Sequence, residues 1–257
     1  MNKRNSDAFG ILLIGSVVLV IIVLLGFAAY HTLNKPSISQ YNVFLIDVSS
    51  PLTPQQKDQL KNMFEDYIKE SPVNSKHDFY KVDEIKDQLL KPVVEGVSNY
   101  SEKDKNYFTS APERAKKVWA TKFEQPFLAA LETTTASSDS KYSPILESIK
   151  SVVISTLNKY EAKGKPKRLI LVSDLMQHTS SLNFYKEIPD YKWLKQNPEF
   201  RNLRIDLTGI DFEIWWLNPS NNPAVYNKLQ NIWLQIIYDQ MGTIKSEGKD
   251  GAFKKII

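Results

Sequence analysis

The stretch Tyr41-Asn42-Val43-Phe44-Leu45-Ile46-Asp47-Val48-Ser49-Ser50 decides the fold. Its apolar run alternates with nothing polar after Asn42 and stops abruptly at Asp47. A strand buried on one face would alternate, so a continuous run of this length reads as a central parallel strand covered on both faces. The next residues complete a unit. Thr53-Pro54-Gln55-Gln56 supplies a capping threonine, a proline in the first turn and a glutamine three residues after the cap. Leu60, Met63, Phe64, Tyr67 and Ile68 then recur at helical spacing on one face. Strand, polar loop and amphipathic helix are the opening of an α/β domain.

The same alternation continues downstream. Phe79 to Val82 reads as a short strand, residues 83–91 as a short helix and 92–110 as irregular chain. Ser110-Ala111-Pro112-Glu113 opens a helix with Val118, Trp119 and Phe123 inward, which Pro126 is expected to end or kink. Residues 133–140 read as a polar loop. Ser143-Pro144 begins a helix whose core face is Ile145, Leu146, Ile149, Val152, Val153, Leu157 and Tyr160. A basic turn, Lys163 to Arg168, separates it from a second buried strand, Leu169-Ile170-Leu171-Val172, which ends at Ser173-Asp174. Asp211 to Leu217 is a third strand, in which the neighbours Trp215 and Trp216 must point to opposite faces. Asn222-Pro223 caps a last helix carrying Val225, Leu229, Ile232, Trp233, Ile236 and Ile237, with Gly242 as its stop and an edge strand near Phe253. The expected fold is α/β: an open, mostly parallel Rossmann-like sheet with helices on both faces. Residues 92–142 exceed what a plain connection needs and are expected as an insert; Trp119, Phe123 and Phe127 within it read as core.

Ahead of this domain, residues 9–30 hold no charged side chain and are dense in Ile, Leu and Val. About 20 apolar residues in helical form cross a bilayer core, so this run is expected to be a transmembrane helix. It is longer than the apolar part of a cleaved signal peptide. Lys3 and Arg4 precede it and Lys35 lies after it, which places residues 1–8 in the cytoplasm. The chain then divides into the helix at 9–30, a linker at 31–40 and an outward domain at 41–257. In a Gram-negative cell that means an inner-membrane protein with a periplasmic domain. Beyond residue 30 the 33 basic residues lose only Lys3 and Arg4, and the 29 acidic ones only Asp7, leaving 31 against 28. So small an excess makes Lys163 to Arg168 a solvated turn and gives no nucleic-acid footprint. The chain has no Cys and 3 His, which excludes disulfide scaffolds, thiolate metal sites and Cys nucleophiles.

The chemistry is concentrated where strands end. In open α/β sheets, sites form at the carboxyl ends of strands, so Asp47, Ser49, Ser143 and Asp174 are expected to converge. Carboxylate and hydroxyl oxygens suit a hard cation such as Mg²⁺. Asp47-x-Ser49 after the first strand, Ser143-Pro144-Ile145-Leu146 opening a helix and Leu171-Val172-Ser173-Asp174 closing a strand resemble a von Willebrand factor type A domain over roughly residues 41–242. The resemblance implies a metal-ion-dependent adhesion site: Asp47 and Ser49 match its first loop, Ser143 stands for a threonine in its second, and Asp174 matches its third. Pro51 stands where another serine ligand belongs, so the implied site is degenerate. The resemblance also implies a protein partner at the carboxyl edge of the sheet, and hence a membrane-anchored subunit or adaptor of an envelope complex rather than an enzyme. The alternative is a metal-assisted hydrolase using Asp47 and Asp174. A triad of Ser49 or Ser173 with His178 and Asp174 lacks a Gly-x-Ser-x-Gly elbow, and no glycine-rich phosphate loop is present.

Overall fold

The computed structural model describes residues 20–24, 37–49, 51–85, 89–103, 112–136, 141–218, 220–244 and 253–257. The chain divides into Met1–Ser37 and Ile38–Ile257. Of the first unit, residues 20–24 are helical with exposed side chains. The remainder of the expected transmembrane run at 9–30 lies outside the described residues. Among those described, no helix is long and apolar enough to cross a membrane.

The second unit is α/β, built on a seven-stranded sheet. Its strands are β1 (Gln40–Ile46), β2 (Ser75–Lys81), β3 (Val94–Ser98), β4 (Lys167–Ser173), β5 (Ile210–Leu217), β6 (Thr243–Ile244) and β7 (Phe253–Ile256). The order is β3-β2-β1-β4-β5, with the short β6 and β7 both along the outer side of β5. All pairings are parallel except β2 with β3. The helices are α1 (Pro54–Glu70), α2 (Pro112–Trp119), α3 (Gln125–Ala136), α4 (Ile145–Val152), α5 (Tyr191–Gln196), α6 (Pro198–Leu203) and α7 (Pro223–Asp239).

Strand alternation splits the interior into two cores. Val43, Leu45, Leu169, Leu171, Ile214 and Trp216 pack with α4 and α7 through Ile145, Ile149, Leu229 and Trp233. Phe44, Ile46, Ile170, Val172, Trp215 and Leu217 pack with α1, α2 and α3 through Leu60, Phe64, Trp119, Phe123 and Phe127. The second core is aromatic. Phe44 lies 4.6 Å from Phe64, 5.1 Å from Tyr67 and 6.0 Å from Trp215, ring centre to ring centre. The expected division of Trp215 and Trp216 between faces is what forms, and both are buried.

Several boundaries differ from the sequence reading. β2 starts at Ser75, ahead of its apolar residues, because Ser75, His77 and Asp78 are buried despite their polarity. The described part of 83–91 is not helical. Within 92–110, β3 is an antiparallel edge strand of the sheet. A Cβ at Gly96 would lie 3.1 Å from the Phe123 ring, so glycine is what lets the aromatic layer close over this strand. Val118 is 40% exposed, since one helical step separates it from the inward Trp119. Pro126 does not end its helix. A π-helical turn, Ala120–Glu124, precedes it, with the Gln125 N–H reaching back to the Ala120 carbonyl. That wider turn brings the proline into a continuing helix, which runs to Ala136 instead of giving way to loop at 133. Residues 92–142, expected as an insert, thus carry β3 and the helices over one sheet face. At the end of α7 the left-handed residue is Met241 (φ 67°), not Gly242.

Candidate functional site

The carboxyl ends of β1 and β4 lie side by side, because Ile46 pairs with Val172 in the register. That places Asp47 beside Ser173 and Asp174. The Asp47 Oδ2 accepts hydrogen bonds from Ser173 Oγ at 2.7 Å and Ser143 Oγ at 2.8 Å. One carboxylate oxygen therefore ties together the ends of two strands and the loop before α4. Asp47 is 4% exposed, and Ser143 and Ser173 no more than 1%.

The loop after Asp174 is organised around it. The Asp174 Oδ1 accepts from the Met176 N–H at 2.9 Å, and its Oδ2 from the Tyr185 hydroxyl at 2.9 Å. Ser49 hydrogen-bonds both Asp174 and Tyr185. Ser173 Oγ also accepts from the Leu175 N–H at 2.8 Å, supporting Leu175 in its left-handed conformation, φ 67°. Ser143 and His178 exchange two backbone hydrogen bonds of 2.8 Å each, which fastens this loop to the start of α4. Pro144 offers α4 no side-chain cap. Gln177 does so from across the site: its Oε1 accepts from the Leu146 N–H, and its Nε2 donates to Glu147 Oε2, both at 2.9 Å.

Electrostatics follow from this burial. Asp47 is pushed up to about 7, first by burial and then by the like charge of Asp174, against the hydroxyls of Ser173 and Ser143. Asp174 is also raised by burial, opposed by Met176, Tyr185 and Ser49. Burial and the neighbouring Asp174 carry Tyr185 up to about 12, so it stays a donor. The recess between the two carboxylates has a volume of about 10 Å³ and is walled by Val48, Ser49, Leu52, Leu217 and Asn218. About 10–15 Å³ is the space of one water.

All four expected residues, Asp47, Ser49, Ser143 and Asp174, are brought together. Sequence reasoning missed Tyr185, which reaches back from a loop 11 residues after Asp174, and the role of Gln177. It also missed Asn218, held by Gln56 beyond the end of β5. The signal for Asn218 was available: it comes directly after a third central strand, where site residues gather. Pro51 is exposed and supplies no side-chain oxygen, and Ser50 lies outside the described residues. Ser173 donates its hydroxyl hydrogen bond to Asp47 rather than to His178, whose ring lies tilted to Tyr142 and edge-on to Tyr185 at 5.6 Å from each. Oxygens of two carboxylates and two hydroxyls are the right chemistry for a hard cation. Mg²⁺ takes six oxygens and keeps several waters, so these side chains would supply only part of its shell. Among the described residues no three His, Cys, Asp or Glu side chains gather as metal ligands.

An open α/β sheet with its polar cluster at the carboxyl edge is the class of protein that fold and site define. No protein-family model matches the chain, and no curated protein matches it. Solved structures resemble it, two of them as follows. One is a conserved hypothetical protein, BatB, from Bacteroides thetaiotaomicron, at 11% identity over 84% of this chain and 89% of that one, with a TM-score of 0.38. The other is an aerotolerance-related membrane protein from Bacteroides fragilis, at 9% identity over 84% and 91%, with a TM-score of 0.35. Such scores carry no weight for this chain, whose fold class rests on its own strand order.

Proposed function

We propose that this chain is a single-pass membrane protein whose von Willebrand A-like domain binds another protein at the carboxyl edge of its sheet. The domain would stand in the periplasm, on a transmembrane helix at residues 9–30, as a subunit or adaptor of an inner-membrane complex. The observation that carries this reading is the engagement of the acidic pair by the chain's own hydroxyls. Asp47 and Asp174 are engaged by Ser49, Ser143, Ser173 and Tyr185, around a recess of about 10 Å³. The recess itself is small, whereas Tyr142 (41% exposed) and Tyr185 (51%) stand beside it as contact surface. Asp47, raised to about 7, carries a proton part of the time near neutrality, which would ease the repulsion between the two carboxylates without a cation. The flanking charges Lys3 and Arg4 support the orientation.

A metal-assisted hydrolase is the second reading. It is favoured by Asp47 itself, since a carboxyl at about 7 suits general acid–base work near neutrality. The two are separated by titrating the full-length chain in micelles with Mg²⁺ and Mn²⁺ while following the melting temperature. The adaptor reading expects no shift at millimolar metal and no turnover of phosphate or carboxylate esters. A metal-dependent rise that disappears in Asp174→Ala, together with turnover, would establish the hydrolase instead. The binding edge is tested by photocrosslinking from position 142 in native membranes: one discrete adduct is expected, lost on Tyr185→Ala.

A further inference from the structure

Four of the five tryptophans are buried to 1% exposure or less, while Trp193 is 50% exposed. It lies on α5 and lines a cavity of about 440 Å³. The other walls come from the loop before α5 and include Ser181, Asn183, Lys186, Glu187 and Asp190. This is a space of ligand size, beyond the Asp47–Asp174 recess.

The loop is built in a fixed form. Thr179 and Leu182 exchange backbone and hydroxyl hydrogen bonds across a turn that carries Ser180 and Ser181. The Phe184 N–H bonds the Gln177 carbonyl at 2.9 Å. Asn183 Oδ1 accepts from the N–H groups of Tyr185 and Lys186, so the amide Nδ2 is what this side chain can offer a ligand. Asp190 caps α5 by accepting from the Trp193 main-chain N–H at 2.8 Å, and both residues line the cavity. A site whose groups are already held loses little freedom on binding.

The lining chemistry selects the ligand. Lys186 and the Asn183 amide donate, Glu187 and Asp190 accept, and Ser181 does either. A hydroxyl-rich ring uses both kinds of partner at once, and its C–H face, weakly positive, lies well on the electron-rich face of an indole. A cationic side chain would meet the same indole and carboxylates, and it would leave the Lys186 and Asn183 donors without acceptors. We propose that this cavity binds a neutral saccharide ring, stacked on Trp193 and hydrogen-bonded by Asp190, Glu187, Lys186 and Asn183.

Trp193 is the one exposed indole, so its emission reports on the cavity. The full-length chain, in a zwitterionic detergent without a sugar headgroup, is titrated with glucose, N-acetylglucosamine, maltotriose, chitotriose and dextran. A saturable change with at least one of them is expected, absent in Trp193→Ala and weaker by about tenfold in Asp190→Asn, which keeps the cap. Dextran against the short sugars distinguishes a polymer-binding site from one for free saccharides. Trp193→Phe serves if the alanine variant does not fold, and it should retain part of the binding. No response to any of these probes, while acrylamide still quenches Trp193, overturns the proposal. So does a response that persists in Trp193→Ala, or a saturable response to tetra-arginine where the sugars give none.

Discussion

Asp47 and His77 are both buried titratable side chains close to β1, and the fold treats them in opposite ways. Around Asp47 the chain supplies two hydroxyl donors, one from the end of β4 and one from the loop before α4. Around His77 it supplies aromatic rings: Phe123 at 5.2 Å, Phe44 at 6.3 Å and Phe127 at 6.3 Å. The Nδ1 of His77 has no hydrogen-bond partner, and its Nε2 lies 3.5 Å from the Asn42 amide. The result is a histidine pushed down to about 3 by burial alone. Near neutral pH His77 is uncharged because it refuses a proton, while Asp47, raised to about 7, holds one about half of the time. Polar donors mark a place where loops must be held in register. Their absence around His77 marks a place where packing alone does so.

The contrast can be broken in order of expected effect. Phe44→Ala, in the aromatic core, should lower stability by about 3–5 kcal/mol in denaturant unfolding, a loss large enough to unfold a marginal domain. Asp47→Asn should do the reverse. The folded carboxyl binds its proton more tightly than the unfolded one, so its contribution is fully present below 3.8 and is lost as pH rises through about 7. The amide mimics the protonated form, and at pH 8 it should gain on the order of 3 kcal/mol; equal melting temperatures for the two proteins would refute a raised Asp47. Ser173→Ala, which removes one of the two donors and the acceptor of the Leu175 N–H, should cost about 1–3 kcal/mol, more above pH 7 where Asp47 is ionised than at low pH. His77→Phe should change stability at neutral pH by no more than about 1 kcal/mol. Its signature is pH dependence. The neutral histidine's contribution is full above 6.5 and lost as pH falls toward about 3, so the variant should resist acid better than the parent when melting is followed below pH 6.

The parallel centre was legible because β1, β4 and β5 are apolar on both faces, and the residues of the carboxyl edge could be placed from where those strands stop and where the helix at Ser143 begins. β2 and β3 were harder. Lys76, His77 and Asp78 look like loop residues, and only the aromatic layer above His77 and the Lys76 contacts to Asp78 and Glu95 make them strand. The continuation past Pro126 was hidden because a π-helical turn has no composition of its own. Tyr185 and Gln177 were invisible for a related reason. Their roles depend on how a loop folds back, and nothing in their local sequence distinguishes them from other polar surface residues.

The tandem Trp215-Trp216 has a practical consequence. One strand places an indole in each core, and neighbouring indoles held rigidly in unlike surroundings couple their near-ultraviolet transitions. Trp216 stacks on Tyr226 at 4.5 Å, while Trp215 meets Phe44 edge-on at 6.0 Å. A circular-dichroism band arising from this pair would therefore be an internal gauge of whether the two layers melt together. Loss of order on either side of β5 would erase it, even while the other side remained intact.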